Sequence, residues 1–236
     1  KTRKTMKVIS LLRDSRVDIE GHAPTKLGYA YKWGGSVFAV RTINRNFLTD
    51  FNQFSTMNFE NVAAIVDTVG GVDIELTLEE AVRVNRYSHD IEHDAPDVTE
   101  GWNRLNGAQA VAYARIRDID SEYYRAGRQQ AVIEAMFSAI KNMPVKNYIA
   151  LAHEVLGSME TTLTIGDMMS IIASGPASYE LIRYTIPDEN FETDLFGGWV
   201  DNPDGGPEED PVQWLWVYDL DAASERLKNI ISGGAN

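Results

Sequence analysis

The sequence predicts a single α/β domain in which helices cover a sheet. Three observations lead to this class. Short apolar runs of strand character alternate along the chain with amphipathic segments of helical period. The 236 residues are ample for one buried core, and they contain no internal repeat and no obvious linker. Hydrophobic residues are 44% and charged residues 24% of the chain, which excludes collagen, a coiled coil and extended disorder.

Short segments that are apolar, or that alternate between apolar and polar residues, are predicted as strands. In chain order these strands are Val8–Leu12, Gln53–Asn58, Val72–Leu76, Glu180–Ile186 and Gln213–Tyr218.

Segments with apolar residues three or four apart are predicted as helices. Thr77 and Glu80 form a capping box, so a helix is expected to begin directly after Thr77. The other predicted helices are Ser36–Phe47, Phe59–Val69, Leu105–Ala114, Ala126–Asn142, Asn147–Gly157, Ile165–Ala173 and Asp221–Ile231. Polar composition predicts loops at His89–Val98 and at Pro187–Pro211, the second of them long, acidic and rich in glycine and proline.

The net charge of −13 is unevenly distributed. Residues 1–45 hold ten Lys or Arg and three Asp or Glu, whereas residues 184–225 hold twelve acidic side chains and no Lys or Arg. The acidic balance argues against a general nucleic-acid binder, although the rest of the chain can still present cations to an anion. The absence of cysteine excludes thiol catalysis, disulfides and zinc–thiolate sites. No apolar run approaches the roughly 18 residues of a membrane-spanning helix.

Four arginines lie close together in the segment YARIRDIDSEYYRAGRQQ, and they are Arg115, Arg117, Arg125 and Arg128. A guanidinium binds phosphate through two parallel hydrogen bonds and keeps its charge, so the cluster is a candidate pyrophosphate site. Arg125 and Gln129 are four apart and share one face of the helix that follows, so they can meet the same anion as Arg115 and Arg117. The alternative is a network of ion pairs with the acidic residues in between, which are Asp118, Asp120 and Glu122. The residues alone leave both interpretations open.

A second candidate is the segment Arg13-Asp14-Ser15, which directly follows the strand Val8–Leu12. Proteins of the α/β class place ligands at strand ends, where a carboxylate can hold a metal ion or take a proton. The alternative is a turn that ends the strand. His89 and His93 have a spacing that zinc sites use, but without a third ligand they are interpreted as loop residues.

Several segments together resemble the LytR-CpsA-Psr family, and the match spans about residues 7–140. LLRDS (Leu11–Ser15), KLGYAYKWGG (Lys26–Gly35), VDTVGGVDI (Val66–Ile74) and EGWNRLNGAQAVAYARIRD (Glu100–Asp118) occur in the expected order. They are followed by Arg125 and the run Arg128-Gln129-Gln130. The chain departs from the family pattern at Leu12, where the family has proline, and at Gly28, where it has asparagine.

This resemblance implies a three-layer α/β/α domain with a mixed central sheet and helices on both faces. It implies a membrane-anchored, extracytoplasmic bacterial transferase that moves a phosphate-linked glycopolymer, such as teichoic acid or capsule, from a polyprenyl-pyrophosphate carrier onto peptidoglycan. The helices Phe59–Val69 and Ala131–Ile140 are apolar enough to line a tunnel for the lipid. The chain begins abruptly, so we expect an N-terminal membrane anchor and a first strand, which supplies a second metal-binding carboxylate, to precede it.

The resemblance also implies roles for individual residues. Pyrophosphate binding is implied for Arg115, Arg117, Arg125 and Gln129, with Arg128 beside them and Lys26 as a weaker match. Arg13 and Asp14 are implied at the head of the pyrophosphate, with Asp14 directed at a magnesium ion or at the acceptor hydroxyl. Arg13, Asp14 and Arg115 are therefore the expected catalytic group. Two other functions remain open: a hydrolase that cleaves polyprenyl pyrophosphate with water, and a non-catalytic module that binds the lipid or glycan.

Overall fold

The computed structural model describes residues 4–144, 147–167, 170, 179–188, 190, 195–202 and 212–233. The strands are β1 (Lys4–Leu11), β2 (Arg16–Val17), β3 (Thr25–Lys26), β4 (Ser55–Thr56), β5 (Val72–Leu76), β6 (Gly101–Leu105), β7 (Glu160–Thr161), β8 (Tyr179–Ile186), β9 (Phe196–Asp201) and β10 (Val212–Val217). The helices are α1 (Leu27–Phe47), α2 (Phe59–Thr68), α3 (Leu78–Ile91), α4 (Gly107–Arg115), α5 (Glu122–Asn142), α6 (Tyr148–Ser158) and α7 (Leu220–Ser232).

The mixture of helices and strands confirms the α/β class. The described strands pair as five two-stranded sheets: β1 with β8, β2 with β3, β4 with β7, β5 with β6, and β9 with β10. The last four of these pairs are antiparallel. None of the helices in the described ranges combines the length and apolar character that crossing a bilayer requires.

The chain divides into two compact units, one within Lys1–Val8 and Ser55–Ile182 and the other within Ile9–Phe54 and Arg183–Asn236. In the first unit the antiparallel strand pair β5–β6 shares one hydrophobic core with the helices α2 to α5. Alternate residues of β5 are buried, so that Val72, Ile74 and Leu76 all enter one hydrophobic core. This alternation is the pattern from which a half-buried strand is predicted.

The helix α4 is buried along almost its whole length, which fixes the position of the segment that follows it. Every residue from Gly107 to Tyr113 is buried. A β-carbon at Gly107 would clash with the backbone of α2 at Ala63 and with Asp67, so only glycine allows this close approach. The Gly107 amide also donates to the Asp67 carboxylate at 2.7 Å. Asn106 and Gln109 close a capping box at the start of α4.

The second unit has its own core, built mainly from α1, α7 and the end of β8. Phe47 and Leu227 are fully buried there together with Ile186. The buried hydroxyl of Ser224 on α7 donates to the carbonyl of Phe47 at 2.6 Å and so joins the two helices. Asp219 caps α7 by accepting from two backbone amides.

Most predicted elements are confirmed within a few residues, but three helix boundaries differ. The helix predicted from Ser36 begins at Leu27, and it passes through a kink at Gly35, which has a φ of 67°. The glycine pair before Ser36 therefore breaks the helical geometry without ending the helix. The helix predicted from Ala126 begins at Glu122, and α3 continues to Ile91, into the segment predicted as a loop from His89.

Five strands were not predicted, and three of them, β2, β3 and β7, have only two residues each. The strand β6 shares only Leu105 with the predicted helix Leu105–Ala114, and its residues GWNRL show too little apolar alternation to predict a strand. The strand β9 lies inside Pro187–Pro211, so the prediction of one continuous loop there is wrong. Its two glycines hid the strand pattern. The strand predicted over Gln53–Asn58 is reduced to Ser55–Thr56. Much of the predicted helix Ile165–Ala173 lies outside the described residues.

Candidate functional site

The arginine cluster lies where α4 ends and α5 begins, within the first unit. Arg115 is the last residue of α4, and Arg117 follows it in the short connection. Because α5 begins at Glu122, Arg125 lies in its first turn and Gln129 one turn further along. The end of α4, the short connection and the first turns of α5 thus carry all four predicted residues.

Two of these arginines converge on a single carboxylate oxygen. The side chain of Arg117 donates to Glu122 Oε1 from Nε at 3.1 Å and from Nη2 at 2.8 Å. Arg125 donates to the same oxygen from Nη1 at 2.8 Å. The side chain of Arg117 is 50% exposed and that of Arg125 is 15% exposed. Two guanidiniums are thus directed at one anionic oxygen, and charge-assisted hydrogen bonds of this kind are also the means by which arginine binds phosphate.

Arg115 and Gln129 make contacts with other groups. The guanidinium of Arg115 lies over the ring of Phe59, at 5.0 Å from its centroid, in a cation–π contact. Phe59 is the first residue of α2 and is 55% exposed. The amide of Gln129 lies 3.5 Å from the carbonyl of Ala114, which is a weak hydrogen bond at most. The sequence did not indicate the contact with Phe59.

Arg128 differs from the other arginines because it is buried. Its residue is 4% exposed, and its guanidinium donates twice to Asp120, at 2.6 Å in both cases, and once to the carbonyl of Ile116 at 3.0 Å. Glu80 of α3 lies 3.6 Å away. Burial alone would lower the pKa of Arg128, but the hydrogen bonds and charge of Asp120 together with the charge of Glu80 raise that pKa above its ordinary value. Arg128 therefore stays charged and ties the α4–α5 connection to α5.

A further ion pair holds the same connection from the side of α3. Arg83 Nε lies 2.6 Å from Asp118 Oδ2, and the hydroxyl of Tyr87 donates to Asp118 Oδ1 at 3.0 Å. Desolvation would raise the pKa of Asp118, but the hydrogen bond from Tyr87 and the charge of Arg83 outweigh it, so this pKa lies below its ordinary value. The sequence predicted the acidic partner, whereas Arg83 and Tyr87 come from an element outside the motif. Their spacing of four residues on α3 is the only local signal.

Asp14, Arg13 and Lys26 form a cluster in the second unit. Asp14 is 6% exposed, and its Oδ1 lies 3.2 Å from Lys26 Nζ and 3.6 Å from Arg13 Nε. The backbone holds this cluster in place. The amide of Trp216 donates to the carbonyl of Asp14 at 2.9 Å, and that of Gly28 donates to the carbonyl of Arg13 at 2.8 Å. The result is a buried carboxylate at a strand end with two cations beside it.

The donors available for a metal ion are limited. Within the described residues, no group of three or more His, Cys, Asp or Glu side chains is placed to hold a metal ion. Magnesium sites that act on phosphates commonly use one or two carboxylates, and the phosphate and water oxygens complete the coordination. Asp14 fits such a site as a single oxygen ligand.

His89 is one of the two histidines whose spacing is used by zinc sites. Its ring nitrogen lies 3.0 Å from the carbonyl of Ala95 and 3.3 Å from Asp97.

Comparison with known proteins assigns the family. The profile of the LytR_cpsA_psr family matches residues 1–201, so the chain belongs to this family. The polyisoprenyl-teichoic acid–peptidoglycan teichoic acid transferase TagU of Enterococcus faecalis is 31% identical over 172 residues, which are 71% of this chain and 53% of that protein. The transferase TagV of Bacillus subtilis is 26% identical over 191 residues, which are 78% of this chain and 48% of that protein. The chain thus spans about half the length of the curated relatives it matches.

Solved structures show the same fold. The structure of TagT bound to LI-WTA is 20% identical with a TM-score of 0.72, and the match covers 98% of this chain and 80% of that one. The protein gbs0355 from Streptococcus agalactiae is 21% identical with a TM-score of 0.74, and the match covers 97% and 75% of the two chains. The resemblance read from the motifs is therefore confirmed at the level of family and fold.

Proposed function

We propose that this chain is the catalytic domain of a transferase that moves a phosphate-linked glycopolymer from a polyprenyl-pyrophosphate carrier onto peptidoglycan. The observation that carries the proposal is the convergence of Arg117 and Arg125 on one carboxylate oxygen. Relatives named as teichoic acid transferases support the same reaction class. TagT, whose fold the chain shares, has been solved with LI-WTA, which supports a lipid-linked wall polymer as donor.

The surroundings of Arg115 suit the amphiphilic carrier. A polyprenyl pyrophosphate joins a doubly charged head to a long apolar chain, so its site needs cations directly beside apolar surface. The exposed ring of Phe59 under the guanidinium of Arg115 meets both needs. The helix α2, which begins at Phe59, and the helix α5, whose first turn holds Arg125, would supply further apolar side chains for the isoprenoid.

The reaction asks for positioning and charge neutralisation rather than covalent work by the protein. The oxygen of an acceptor hydroxyl attacks the phosphorus that carries the glycopolymer, and the bond from that phosphorus to the bridging oxygen breaks. Polyprenyl phosphate leaves with the bridging oxygen, and the hydroxyl loses its proton. Arg115, Arg117 and Arg125 would neutralise the negative charge that develops on the phosphate oxygens. Arg128 holds the connection that carries Arg117 and is assigned a positioning role.

The cluster in the second unit would serve the acceptor side of the reaction. Asp14 would orient the acceptor hydroxyl, and Lys26 and Arg13 would fix the position of that carboxylate at the strand end. A magnesium ion is part of the proposal, with Asp14 as one oxygen ligand. Such an ion, when bound, neutralises charge on phosphate oxygens.

The proposed partners place the domain at the outer surface of a bacterial membrane. The donor lies in the bilayer through its polyprenyl chain, and the acceptor is peptidoglycan on the extracytoplasmic side. The proposal therefore includes a membrane anchor in the longer protein.

Lysine substitutions test the arginine site. A lysine cannot reproduce the planar fork of a guanidinium, so Arg115→Lys and Arg125→Lys should each weaken binding of polyprenyl pyrophosphate by roughly 1–3 kcal/mol. The matched control is Arg104→Lys, because Arg104 makes a 2.7 Å surface pair with Asp73 in the same unit. This control should leave the affinity unchanged and shift stability by less than about 1 kcal/mol. Unchanged affinity in both site variants, with intact folding, would show that the cluster is only an ion-pair network. Transferred polymer, rather than released inorganic phosphate, separates the transferase from a hydrolase.

A further inference from the structure

The hairpin of β9 and β10 presents an aromatic surface that the proposed reaction does not use. Its antiparallel register pairs Trp214 with Trp199 and Trp216 with Gly197, and paired residues share a face of a hairpin. Three tryptophans therefore lie on one face, which we call the tryptophan face (Trp199, Trp214 and Trp216). On the opposite face Gln213 and Leu215 are buried, and the Gln213 side chain accepts from Thr25 at 2.8 Å. The hairpin is therefore anchored through the face opposite the tryptophans.

The tryptophan face is held in a defined geometry. The rings of Trp214 and Trp216 meet edge to face, with centroids 4.7 Å apart and an interplanar angle of 87°. Trp216 also packs against the core of the second unit, so it anchors this pair. A β-carbon at Gly197 would lie 2.8 Å from Trp214 Cζ2 and 2.9 Å from Trp216 Cζ3, so both rings occupy the space that a side chain would fill. Next to this rigid pair, Trp199 is 69% exposed.

We infer that the tryptophan face binds an uncharged glycan strand of pyranose sugars. A pyranose has an apolar face of C–H groups that fits against the negative face of an indole ring, while its hydroxyls stay available for hydrogen bonds. Asp201 pairs with Val212 on the same face of the hairpin, and its carboxylate is an acceptor suited to sugar hydroxyls. A rigid aromatic pair loses little entropy when it binds, which favours recognition by a small surface.

The charge of the surrounding segment and the small area of the tryptophan face favour a neutral glycan over an anionic lipid surface, an anionic polymer or a protein partner. Residues 184–225, which contain the hairpin, carry twelve acidic side chains and no Lys or Arg, so an anionic lipid surface or an anionic polymer would be repelled. A stable protein partner buries roughly 800 Å² on each side. Trp199 and Trp214, the two tryptophans of this face that do not pack into the core, offer only about 200–300 Å², because a whole tryptophan buries about 250 Å². A sugar strand matches both the neutral charge and the small area.

If the proposed transfer is correct, the strand is the acceptor wall glycan rather than the phosphate-rich donor polymer, and this identification rests on the proposed function. The inference that the tryptophan face binds a neutral glycan does not rest on the proposed function. The wall glycan and the donor polymer differ in charge, so neutral and anionic probes distinguish them.

The test measures binding of N-acetylglucosamine hexamer to the purified chain by calorimetry and by tryptophan fluorescence. The wild-type chain should bind the hexamer, and Trp199→Ala should weaken this binding at least about fivefold. The matched control is Trp102→Ala, since Trp102 is 72% exposed but lies on β6 in the first unit, and it should bind the hexamer like the wild type. Poly(glycerol phosphate) and anionic vesicles should not bind through Trp199.

Several outcomes would overturn the inference. They are a wild-type chain that does not bind the hexamer, equal affinity in Trp199→Ala and the wild type, an equal loss in Trp102→Ala, and vesicle binding that Trp199→Ala abolishes. The assay contains no donor lipid, so a failure here leaves the transferase proposal standing. Conversely, loss of lipid binding in the arginine variants would not change the hexamer result.

Discussion

Replacing Glu122 by glutamine tests whether its carboxylate occupies the place of a substrate phosphate. Glu122 Oε1 accepts three hydrogen bonds, two from Arg117 and one from Arg125. The substitution Glu122→Gln keeps the shape of the side chain and a carbonyl acceptor but removes the negative charge. Donor lipid must displace this side chain from the guanidiniums, so the variant should bind polyprenyl pyrophosphate more tightly than the wild type.

The expected gain in affinity for the lipid follows from how exposed the two ion pairs of Glu122 are. The pair with Arg117 is half exposed and is worth about 0.5 kcal/mol, in the range of surface ion pairs. The pair with Arg125 is more buried and is worth about 1–1.5 kcal/mol. A neutral amide keeps about half of the total, so roughly 1 kcal/mol is released to the incoming phosphate. This corresponds to about fivefold tighter binding.

The assay is titration of the detergent-solubilised lipid pyrophosphate into wild-type and variant protein at two salt concentrations. Asp73→Asn is the control, because it removes the charge from the surface pair with Arg104 in the same unit and should not change the affinity. The gain in Glu122→Gln should shrink at high salt, since the competing interaction is electrostatic. Weaker or unchanged binding in Glu122→Gln would refute the reasoning and would show that Glu122 organises the arginines instead of competing with the lipid.

Three further predictions concern other charged groups. Asp14→Asn should retain binding of the donor lipid and abolish transfer of the polymer. Full transfer activity in this variant would show that Asp14 only forms part of a turn that ends the strand. Arg128→Met leaves the carboxylate of Asp120 uncompensated beside a buried site, so the free energy of unfolding measured in urea should fall by about 3 kcal/mol; a change below about 1 kcal/mol would contradict the buried ion pair. The lowered pKa of Asp118 stabilises the fold above the ordinary carboxyl value near 4, and this stability is lost as pH falls through the lowered pKa. Asp118→Asn should remove that part of the acid dependence in thermal melts, and melts with unchanged pH dependence would exclude it.

The part of the site that depends on local pattern was predictable from the sequence. Thr77 and Glu80 cap α3 as expected, because a capping box needs only residues three apart. The clustering of Arg115, Arg117 and Arg125 was equally predictable, since one helix end and the next helix start lie within ten residues. Asp14 at a strand end followed from the apolar run before it. Sequence alone left open whether these arginines form a binding site or an ion-pair network.

The tertiary structure decided what the individual charges do. In the sequence Arg128 resembles Arg117 and Arg125, yet Arg128 is buried because α3 brings Glu80 beside it and the α4–α5 connection folds Asp120 back onto it. Burial depends on partners from distant elements, and a local spacing carries no information about them. The same reason applies to the tryptophan face, where β9 lay hidden in a predicted loop. Only the register between β9 and β10 places Trp199 opposite Trp214. Residue type and spacing thus determined which chemistry is available, and the packing of non-local elements determined which side chains can use it.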